Sequence, residues 1–349
     1  MARAPNLIDD LSKAWQKAVA SGRIASEFDA PFDDLDGRWS KGDRVRFGLI
    51  WTGAGIEYDA RNLRSGEQIN VPVDERTVGK RGFVCQFNGY RALKPGGIPQ
   101  QVGRQPDISP APADCRFHCQ DPTESLSLLR REPLLRVRLR HAAWNAYFNA
   151  IPFEKEGHFL WVPAVLDGAT SGLPHLPQVL TRELVEDLVL LFQQSTNTVL
   201  FFNSLHAGAS VNHVHAQAVV HRQPLPIERA RTVEYKAHAL LDGYPAHAIT
   251  FARDGDIDAV AGAVERLQLD DIPFNLMFAG ERIFLVPRTA EHEIVSEFPS
   301  GVLATMEIAG KIIAVDRRTY ENVEESQIES ALRKVTIRAE QLIDAWERS

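Results

Sequence analysis

The sequence predicts an α+β fold in which antiparallel strands pack against amphipathic helices. The first observation is a hairpin over residues 143–153 and 158–165, with a turn at 154–157. The second is a helix over 182–194, where Thr181 provides an N-cap and apolar residues recur at helical spacing. Two strands follow that helix, and a weak internal repeat later in the chain indicates a second unit of the same kind.

The internal repeat rests on two pairs of short sequences. Phe148-Asn149 precedes Trp161-Val162-Pro163, and Phe274-Asn275 precedes Leu285-Val286-Pro287 at similar spacing. The second copy is followed by Met306-Glu307-Ile308 and not by histidines. We therefore expect it to be chemically silent, and to serve packing or to complete a substrate pocket. The regions expected are an N-terminal extension of a helix and a strand over 1–78, a catalytic unit over 79–228, and a degenerate second unit with a C-terminal helix over 229–349.

The remaining elements follow from hydrophobic periodicity and from turn residues. A first amphipathic helix begins after Asn6 and ends at Gly22, and a charged amphipathic helix over 325–346 closes the chain. The segments predicted as strands are 44–51, a short stretch near 69–71, and 82–88. The segments predicted as loops are 28–42, the turn-rich region 52–80, and the proline-rich segment 95–113, which is expected to be an extended linker or lid.

Composition bounds the class of protein. A chain of 349 residues can bury a large core, as two domains or as one. Its net charge of -7 argues against a nucleic-acid-binding surface, and its three cysteines do not indicate a disulfide framework, which favours a reducing compartment. The first residues lead directly into an amphipathic helix, and no apolar run reaches the length of a membrane span. We expect a soluble cytoplasmic protein with no membrane or nucleic-acid partner.

Residues that carry chemistry concentrate in the stretch Phe201–Gln217, which ends in His-x-His-x-Gln. Flanking valines favour a strand, in which alternation would project His213, His215 and Gln217 from one face. Ser210 would stand at the strand entrance, after a turn of small residues that lets a ligand approach the backbone. Imidazole, amide and backbone donors in this arrangement indicate a phosphate site that contains a nucleophile. The alternatives are a solvated polar face and a metal clip.

These residues resemble the histidine triad superfamily, and in particular its transferase branch, which includes galactose-1-phosphate uridylyltransferase. Within that branch the sequence is most similar to the GDP-hexose phosphorylases, which act on GDP-L-galactose or GDP-glucose. The matching blocks, in family order, are Phe83–Asn88 with Arg91 and Lys94-Pro95, Gly157–Pro163 with Val165–Asp167, Phe202–Leu205, Asn212–Ala218, Ile272–Asn275 and Ile283–Pro287. The resemblance implies two histidine-triad-like units, each an antiparallel sheet with a helix, joined in one pseudo-symmetric body like that of the uridylyltransferase.

The resemblance also implies roles for the residues of the stretch. His215 matches the nucleophile of the family, and its far ring nitrogen should donate to a backbone carbonyl. His213 either positions the strand or donates to a phosphate, and a purely structural role is the alternative. Gln217 stands where the hydrolases have a third histidine, which suits a leaving group that needs no general acid. The other donors expected to hold phosphoryl oxygens are Ser210 and the backbone near Gly208 and Ala209.

Two basic residues after the strand over 82–88 are candidates for binding the substrate. Arg91 and Lys94 match a segment that holds the nucleotide's phosphates in the uridylyltransferases, and ordinary surface charge is the alternative. Asn203 is assigned to the substrate-binding set with them. His206 stands where the GDP-hexose phosphorylases have glycine, which leaves the identity of the sugar open.

Cysteines near residue 115 raise the question of a metal. Uridylyltransferases often have Cys-x-x-Cys here, which binds structural zinc together with the first histidine of His-x-His. In this chain the spacing is Cys-x3-Cys, and the available ligands are Cys115, Cys119 or His118, His213 and His175. GDP-hexose phosphorylases lack such a pair, and reduced, unliganded thiols are the alternative. We therefore predict no metal and no cofactor.

The function expected from these residues is nucleotidyl transfer through a covalent nucleotidyl-His215, with a nucleotide-sugar and phosphate as substrates. GDP-hexose and phosphate would give hexose 1-phosphate and GDP. Phosphate is already anionic and needs no general base, whereas water would need one. The alternatives are a dinucleoside-polyphosphate phosphorylase of the Ap4A type, nucleotidyl exchange with a sugar 1-phosphate, and a nucleotide-binding regulatory protein without turnover. A homodimer is compatible with the sequence.

Overall fold

The structure is a computed structural model of the chain. It describes residues 6–29, 42–69, 72–92, 106, 115, 117, 132–149, 151–164, 175–291, 294–298 and 302–348. Lys94, His118, Cys119 and nearly all of the predicted proline-rich linker lie outside these residues.

The helices and strands are as follows. The helices are α1 Leu7–Ala20, α2 Gly89–Ala92, α3 Arg182–Gln193, α4 Ile257–Leu269, α5 Thr305–Ile308, α6 Arg317–Asn322, α7 Glu325–Val335 and α8 Ala339–Trp346. The strands of the first part of the chain are β1 Ala25–Asp29, β2 Arg44–Thr52, β3 Gly55–Asn62, β4 Gln68–Ile69, β5 Val73–Val78, β6 Phe83–Asn88, β7 Leu135–Arg138, β8 Ala143–Phe148 and β9 His158–Ala164. The later strands are β10 Thr198–Asn203, β11 Ala216–Val220, β12 Arg231–Tyr235, β13 His238–Asp242, β14 Ile249–Ala252, β15 Phe274–Ala279, β16 Arg282–Pro287 and β17 Lys311–Ala314.

A ten-stranded sheet forms the centre of the fold, in the order β12-β13-β14-β16-β15-β10-β11-β9-β8-β7. All of its pairings are antiparallel. Two halves of the chain build this sheet, and each consists of three strands, a helix and two further strands: β7 to β11 with α3, and β12 to β16 with α4. Read inward from its own edge of the sheet, each half arranges its five strands in the same order. The halves meet where β10 pairs with β15, and there Asn203 lies opposite Asn275. The structure thus confirms a mixed α+β fold.

The predicted internal repeat is wrong in the strands that it pairs. It matched β8 and β9 with β15 and β16. Counted from the two edges of the sheet, however, β15 occupies the position equivalent to β10, and β16 the position equivalent to β11. Buried strands share short apolar sequences, so a brief match does not determine which strands occupy equivalent positions.

Helices α1, α3, α4 and α8 share one hydrophobic core with one face of the sheet. The predicted first helix, hairpin and helix after Thr181 are confirmed, and the Thr181 hydroxyl accepts from the Leu184 N–H at 3.4 Å. Trp15 of α1 is fully buried, donates its Nε1–H to the Lys155 carbonyl at 3.0 Å and packs edge-on against Phe159. These contacts fix α1 over the first half of the sheet.

A smaller sheet of β5, β6 and β17 packs with α7 in a second hydrophobic core that includes residues from the other face of the large sheet. In it β17 runs parallel to β6. The four strands β1 to β4 form a separate antiparallel sheet. In the part of the chain that the structure describes, no helix is long and apolar enough to cross a membrane.

The single helix predicted over 325–346 is wrong, because α7 ends at Val335 and α8 begins at Ala339. The intervening residues are held in extended pairing with the segment after β16: the Ile337 N–H donates to the Pro287 carbonyl, and the Thr289 N–H donates to the Val335 carbonyl. The apolar faces of the two helices then enter different cores. Periodicity that continues across the break therefore does not mean one helix.

Candidate active site

The histidine pair lies before strand β11 and not within it, so the predicted strand placement is wrong. The strand begins at Ala216, and residues 211–215 are irregular. The Val214 N–H donates to the Leu176 carbonyl at 2.8 Å, and the Gln178 N–H donates to Asn212 Oδ1 at 3.3 Å. Residues 211–215 are thus hydrogen-bonded to the segment that precedes α3, and Val211 and Val214 are buried there without forming a strand.

His215 has the orientation expected of a nucleophile. Its Nδ1 lies 2.8 Å from the His213 carbonyl and 3.2 Å from Gln178 Oε1. Both partners are acceptors, so Nδ1 carries the proton and Nε2 keeps its lone pair. Burial lowers the pKa of His215 to about 4, which leaves the ring neutral at pH 7. The expectation that the far ring nitrogen donates to a backbone carbonyl is confirmed.

Gln217 contacts a histidine that the sequence analysis did not assign to the site. Its Oε1 lies 3.0 Å from Nε2 of His158, the first residue of β9, which is fully buried. Nδ1 of the same ring is 3.4 Å from the Phe153 N–H, which donates to it. Because the Phe153 N–H can only donate, Nδ1 accepts from it and Nε2 carries the proton, which is directed at the Gln217 carbonyl oxygen. Asn149 Nδ2 also lies 3.2 Å from this Nε2. A buried histidine within an apolar strand is the sequence signal for such a residue.

His213 lies in different surroundings from His215. It is fully buried, with its Nδ1 3.7 Å from Cys115 Sγ, its ring centroid 5.0 Å from that of His175, and Phe117 packed at 5.5 Å. Burial, followed by the charges of His175 and His215, lowers the pKa of His213 to about 3. Its Nε2 has no hydrogen-bond partner among the residues that the structure describes. This position suits a ligand or a structural residue better than one that touches substrate.

The side chains of Cys115, His175 and His213 come together in a cluster that is suited to holding one metal ion. Their ligand atoms all lie within 4.8 Å of one another, and the three side chains are buried. A thiol and two imidazoles are the donors that zinc prefers in structural sites. All three were among the available ligands in the sequence analysis, and the absence of a metal stays a prediction that this cluster makes worth testing.

The small-residue turn at 207–210 is supported from the second half of the chain. Gly208 has φ of +94°, and a Cβ added there would lie 2.6 Å from the Ala304 Cβ. Asn275 donates through Nδ2 to Asn203 Oδ1 at 2.8 Å and to the Ala207 carbonyl at 2.7 Å. Glycine is therefore required for the close contact with Ala304, and not only for the approach of a ligand.

Asn203 takes part in this support. Its Oδ1 also accepts from the Thr305 hydroxyl, and its side chain is almost completely buried. Asn203 was expected to bind substrate, but its side-chain oxygen is engaged inside the protein. Ser210 and Ala209 lie in the same turn, Ala209 buried and Ser210 partly exposed.

Arg91 lies in α2, directly after the end of β6. Its NH1 donates to the Ile151 carbonyl at 3.0 Å, and its guanidinium lies 5.5 Å from the centre of the Phe153 ring. That ring packs edge-on against His158 at 4.4 Å, and His158 bonds to Gln217. A series of contacts through Phe153 and His158 therefore connects Arg91 to Gln217.

Comparison with known proteins gives consistent matches. The family described as "GDPGP1-like, C-terminal domain" matches residues 220–345. GDP-L-galactose phosphorylases 1 and 2 of Arabidopsis thaliana are each 29% identical, over 77% and 81% of this chain and 66% and 72% of their own lengths. GDP-D-glucose phosphorylase 1 of Macaca fascicularis is 30% identical over 68% of this chain and 56% of its own length. The chain thus spans between about half and three quarters of these relatives.

A solved structure shares the fold. Yeast Ap4A phosphorylase in complex with Ap4A superposes with a TM-score of 0.51 at 14% sequence identity, and the match covers 77% of this chain and 90% of that one. The comparisons confirm the predicted similarity to GDP-hexose phosphorylases: the chain resembles them in sequence along most of its length, shares its fold with an Ap4A phosphorylase, and matches the GDPGP1-like C-terminal domain over residues 220–345.

Proposed function

We propose that this protein is a nucleotidyltransferase that acts as a GDP-hexose phosphorylase, converting GDP-hexose and phosphate to hexose 1-phosphate and GDP. The observation that carries the proposal is the environment of His215, a neutral imidazole with Nδ1–H held by carbonyl oxygens and with Nε2 left as a nucleophile. The similar GDP-L-galactose and GDP-D-glucose phosphorylases support the choice of substrates.

In the first step His215 Nε2 attacks the α-phosphorus of the GDP-hexose. A phosphorus–nitrogen bond forms, the bond to the bridging oxygen breaks, and hexose 1-phosphate leaves with that oxygen. The leaving group is a stable phosphate anion, so the amide of Gln217 suffices where an amine or alkoxide would need an acid. In the second step an oxygen of inorganic phosphate attacks the same phosphorus, the phosphorus–nitrogen bond breaks, and its electron pair returns to Nε2 as GDP leaves.

The remaining residues hold the phosphoryl oxygens. Gln217, whose carbonyl oxygen is occupied by His158, presents amide N–H groups to the charge that develops at phosphorus. Ser210 and the backbone N–H groups near Gly208 and Ala209 are the other donors. Arg91 and Lys94 bind the phosphates of the nucleotide. Asn203 supports the turn and does not contact substrate.

The fold suits two histidine-triad-like units in a body like that of the uridylyltransferases. The strand order, which is the same from both edges of the large sheet, supports a pseudo-symmetric arrangement. The catalytic unit covers 79–228, the second unit 229–349, and residues 1–78 form an extension. A cytoplasmic location and a homodimer remain predictions.

Cys115, His175 and His213 are the residues that would hold a zinc ion. The ion would supply no chemistry to the transfer; it would tie the segment around Cys115 to the loop that ends in His215. This role accounts for the burial of His213 and removes it from the set of groups that touch substrate.

The test is intact-mass analysis after mixing the protein with GDP-glucose or GDP-L-galactose. The wild-type chain should gain one guanylyl group and discharge it as GDP only when phosphate is added. His215→Ala should fold and remain unlabelled, and His238→Ala, on β13 of the second half, serves as a control that labels normally. Phosphate-independent release of GMP would indicate a hydrolase, and discharge only by a sugar 1-phosphate an exchange enzyme. Labelling by diadenosine tetraphosphate in preference to GDP-sugars would favour the Ap4A alternative, and no labelling a regulatory protein.

A further inference from the structure

Gln178 lies in the irregular segment before α3 and contacts the nucleophile with both ends of its amide. Its Oε1 accepts from the backbone N–H of His215 at 3.0 Å and lies 3.2 Å from Nδ1 of the same residue. Its Nε2 donates to the Asn203 carbonyl at 2.8 Å and lies 3.4 Å from the His215 carbonyl. The side chain is only 2% exposed, so water does not compete for these hydrogen bonds.

These contacts determine which way the amide points. One end meets two donors of His215, and the other end meets two carbonyl oxygens. A flipped amide would place N–H groups against N–H groups and oxygen against oxygen. The Nδ1 proton of His215 is therefore shared between two acceptors that come from separate parts of the chain, the His213 carbonyl and Gln178 Oε1.

We propose that Gln178 is a positioning residue for the nucleophile, an inference that rests on the proposed role of His215. When Nε2 bonds to phosphorus, the ring keeps its Nδ1 proton and becomes positively charged. Hydrogen bonds to a charged donor are stronger than those to a neutral one, and they strengthen further where water is excluded. Gln178 Oε1 therefore stabilises the charge that appears in the transition state and in the covalent intermediate, while it also prevents rotation of the ring.

The other end of Gln178 connects the nucleophile to the phosphate-binding turn. Asn203 accepts from Gln178 through its backbone oxygen and from Asn275 through its side chain, and Asn275 also holds the Ala207 carbonyl. One buried chain of hydrogen bonds thus sets the position of His215 relative to the turn. A reaction that needs in-line attack at phosphorus depends on that relative position.

Two substitutions separate the acceptor from the rest of the side chain. Gln178→Met keeps the approximate volume and removes both the acceptor and the donor. Gln178→Glu keeps an acceptor for His215, and as a buried neutral acid its O–H can replace the amide in donating to the Asn203 carbonyl. Gln268→Met is the matched control, because Gln268 also clamps backbone of this segment, accepting from the Leu180 N–H and donating to the Leu180 carbonyl without touching a histidine.

The experiment measures single-turnover formation of guanylyl-His215 from GDP-glucose or GDP-L-galactose, together with the substrate concentration that gives half the maximal rate. For Gln178→Met we expect the maximal rate to fall about ten- to hundredfold while the half-saturating concentration stays within about twofold, as for loss of a hydrogen bond to a charged group. Gln178→Glu should recover most of the rate, and Gln268→Met should keep it even if it lowers the melting temperature.

The results separate this inference from the proposed function. If the wild-type chain labels at His215 and Gln178→Met labels at the same rate, Gln178 does not position the nucleophile. An equal loss of rate in Gln268→Met, or no recovery in Gln178→Glu, would reduce its role to general packing of the segment and overturn the inference. Failure of the wild-type chain to label would overturn the proposed function, and this inference with it.

Discussion

The contact between Gly208 and Ala304 offers a direct test of how the small-residue turn at 207–210, which we propose binds phosphate, is held. Gly208 has φ of +94°, and an added Cβ would lie 2.6 Å from the Ala304 Cβ and 3.0 Å from its Cα. Ala304 cannot move away easily, because its N–H donates to the Glu307 carboxylate at the start of α5. Gly208→Ala must therefore displace the turn or the helix.

The expected cost has two parts. A positive φ in a residue with a Cβ costs about 1–2 kcal/mol, and forcing a methyl group into a close-packed contact costs about 1–3 kcal/mol. Gly208→Ala should therefore lower the free energy of unfolding by about 2–5 kcal/mol. Gly243→Ala is the matched control for the first part, since Gly243 has φ of +68° and no described atom lies within 4 Å of its added Cβ.

Ala304→Gly provides the means of isolating the second part. It removes the methyl group that collides with the new Cβ, so the double variant should recover about 1–2 kcal/mol relative to the sum of the two single changes. Urea unfolding of the four proteins of the cycle measures the stability, and the rate of guanylyl labelling should recover in the same variant. Additivity within about 0.5 kcal/mol would refute the reasoning, because it would mean that the turn does not rest on Ala304.

Two further predictions concern acid stability and metal content. Burial, then the charges of Lys311 and Arg229, lowers the pKa of His221 in the folded state from 6.5 to about 4, so the unfolded chain binds more protons between these values and stability falls as the pH drops through them. Between pH 7.5 and pH 5 the free energy of unfolding should fall by about 2 kcal/mol more in the wild-type protein than in His221→Asn, as measured by urea unfolding. An equal fall in the two proteins would contradict the prediction. Elemental analysis should find close to one zinc per chain, reduced in Cys115→Ser, and a metal-free wild-type protein would restore the original prediction.

The elements that the sequence predicted well are those in which local pattern and tertiary packing agree. Helix α3 has its Thr181 cap, its apolar face and its polar face in the order that a surface helix requires. The valines at 211 and 214 are a different case, because their burial comes from contact with other segments and not from a sheet. A valine-rich stretch predicts burial more reliably than it predicts a strand.

The same distinction applies to the candidate site. His215 and Gln217 lie two positions apart, so one motif contains both of them. Gln178 is 37 residues from His215, and Asn275 and Thr305 are 72 and 102 residues from Asn203. No local pattern relates residues at such separations, and each of the three is an ordinary polar residue in its own neighbourhood. The motif therefore locates the proposed nucleophile, whereas the groups that orient its ring are seen only in the folded structure.

The second half of the chain lacks the histidine motif but contributes to the support of the site. Arg288 is fully buried and donates through Nε to the Val335 carbonyl at 2.9 Å and through NH1 to Asn275 Oδ1 at 2.6 Å. These two bonds offset part of the cost of burying the guanidinium, so removing either acceptor is destabilising. Because Arg288 occupies the oxygen of Asn275, the amide nitrogen must face Asn203 and Ala207, which is the orientation that holds the turn. The proposed nucleophile thus comes from one half and part of its support from the other, and the two halves are joined where β10 pairs with β15.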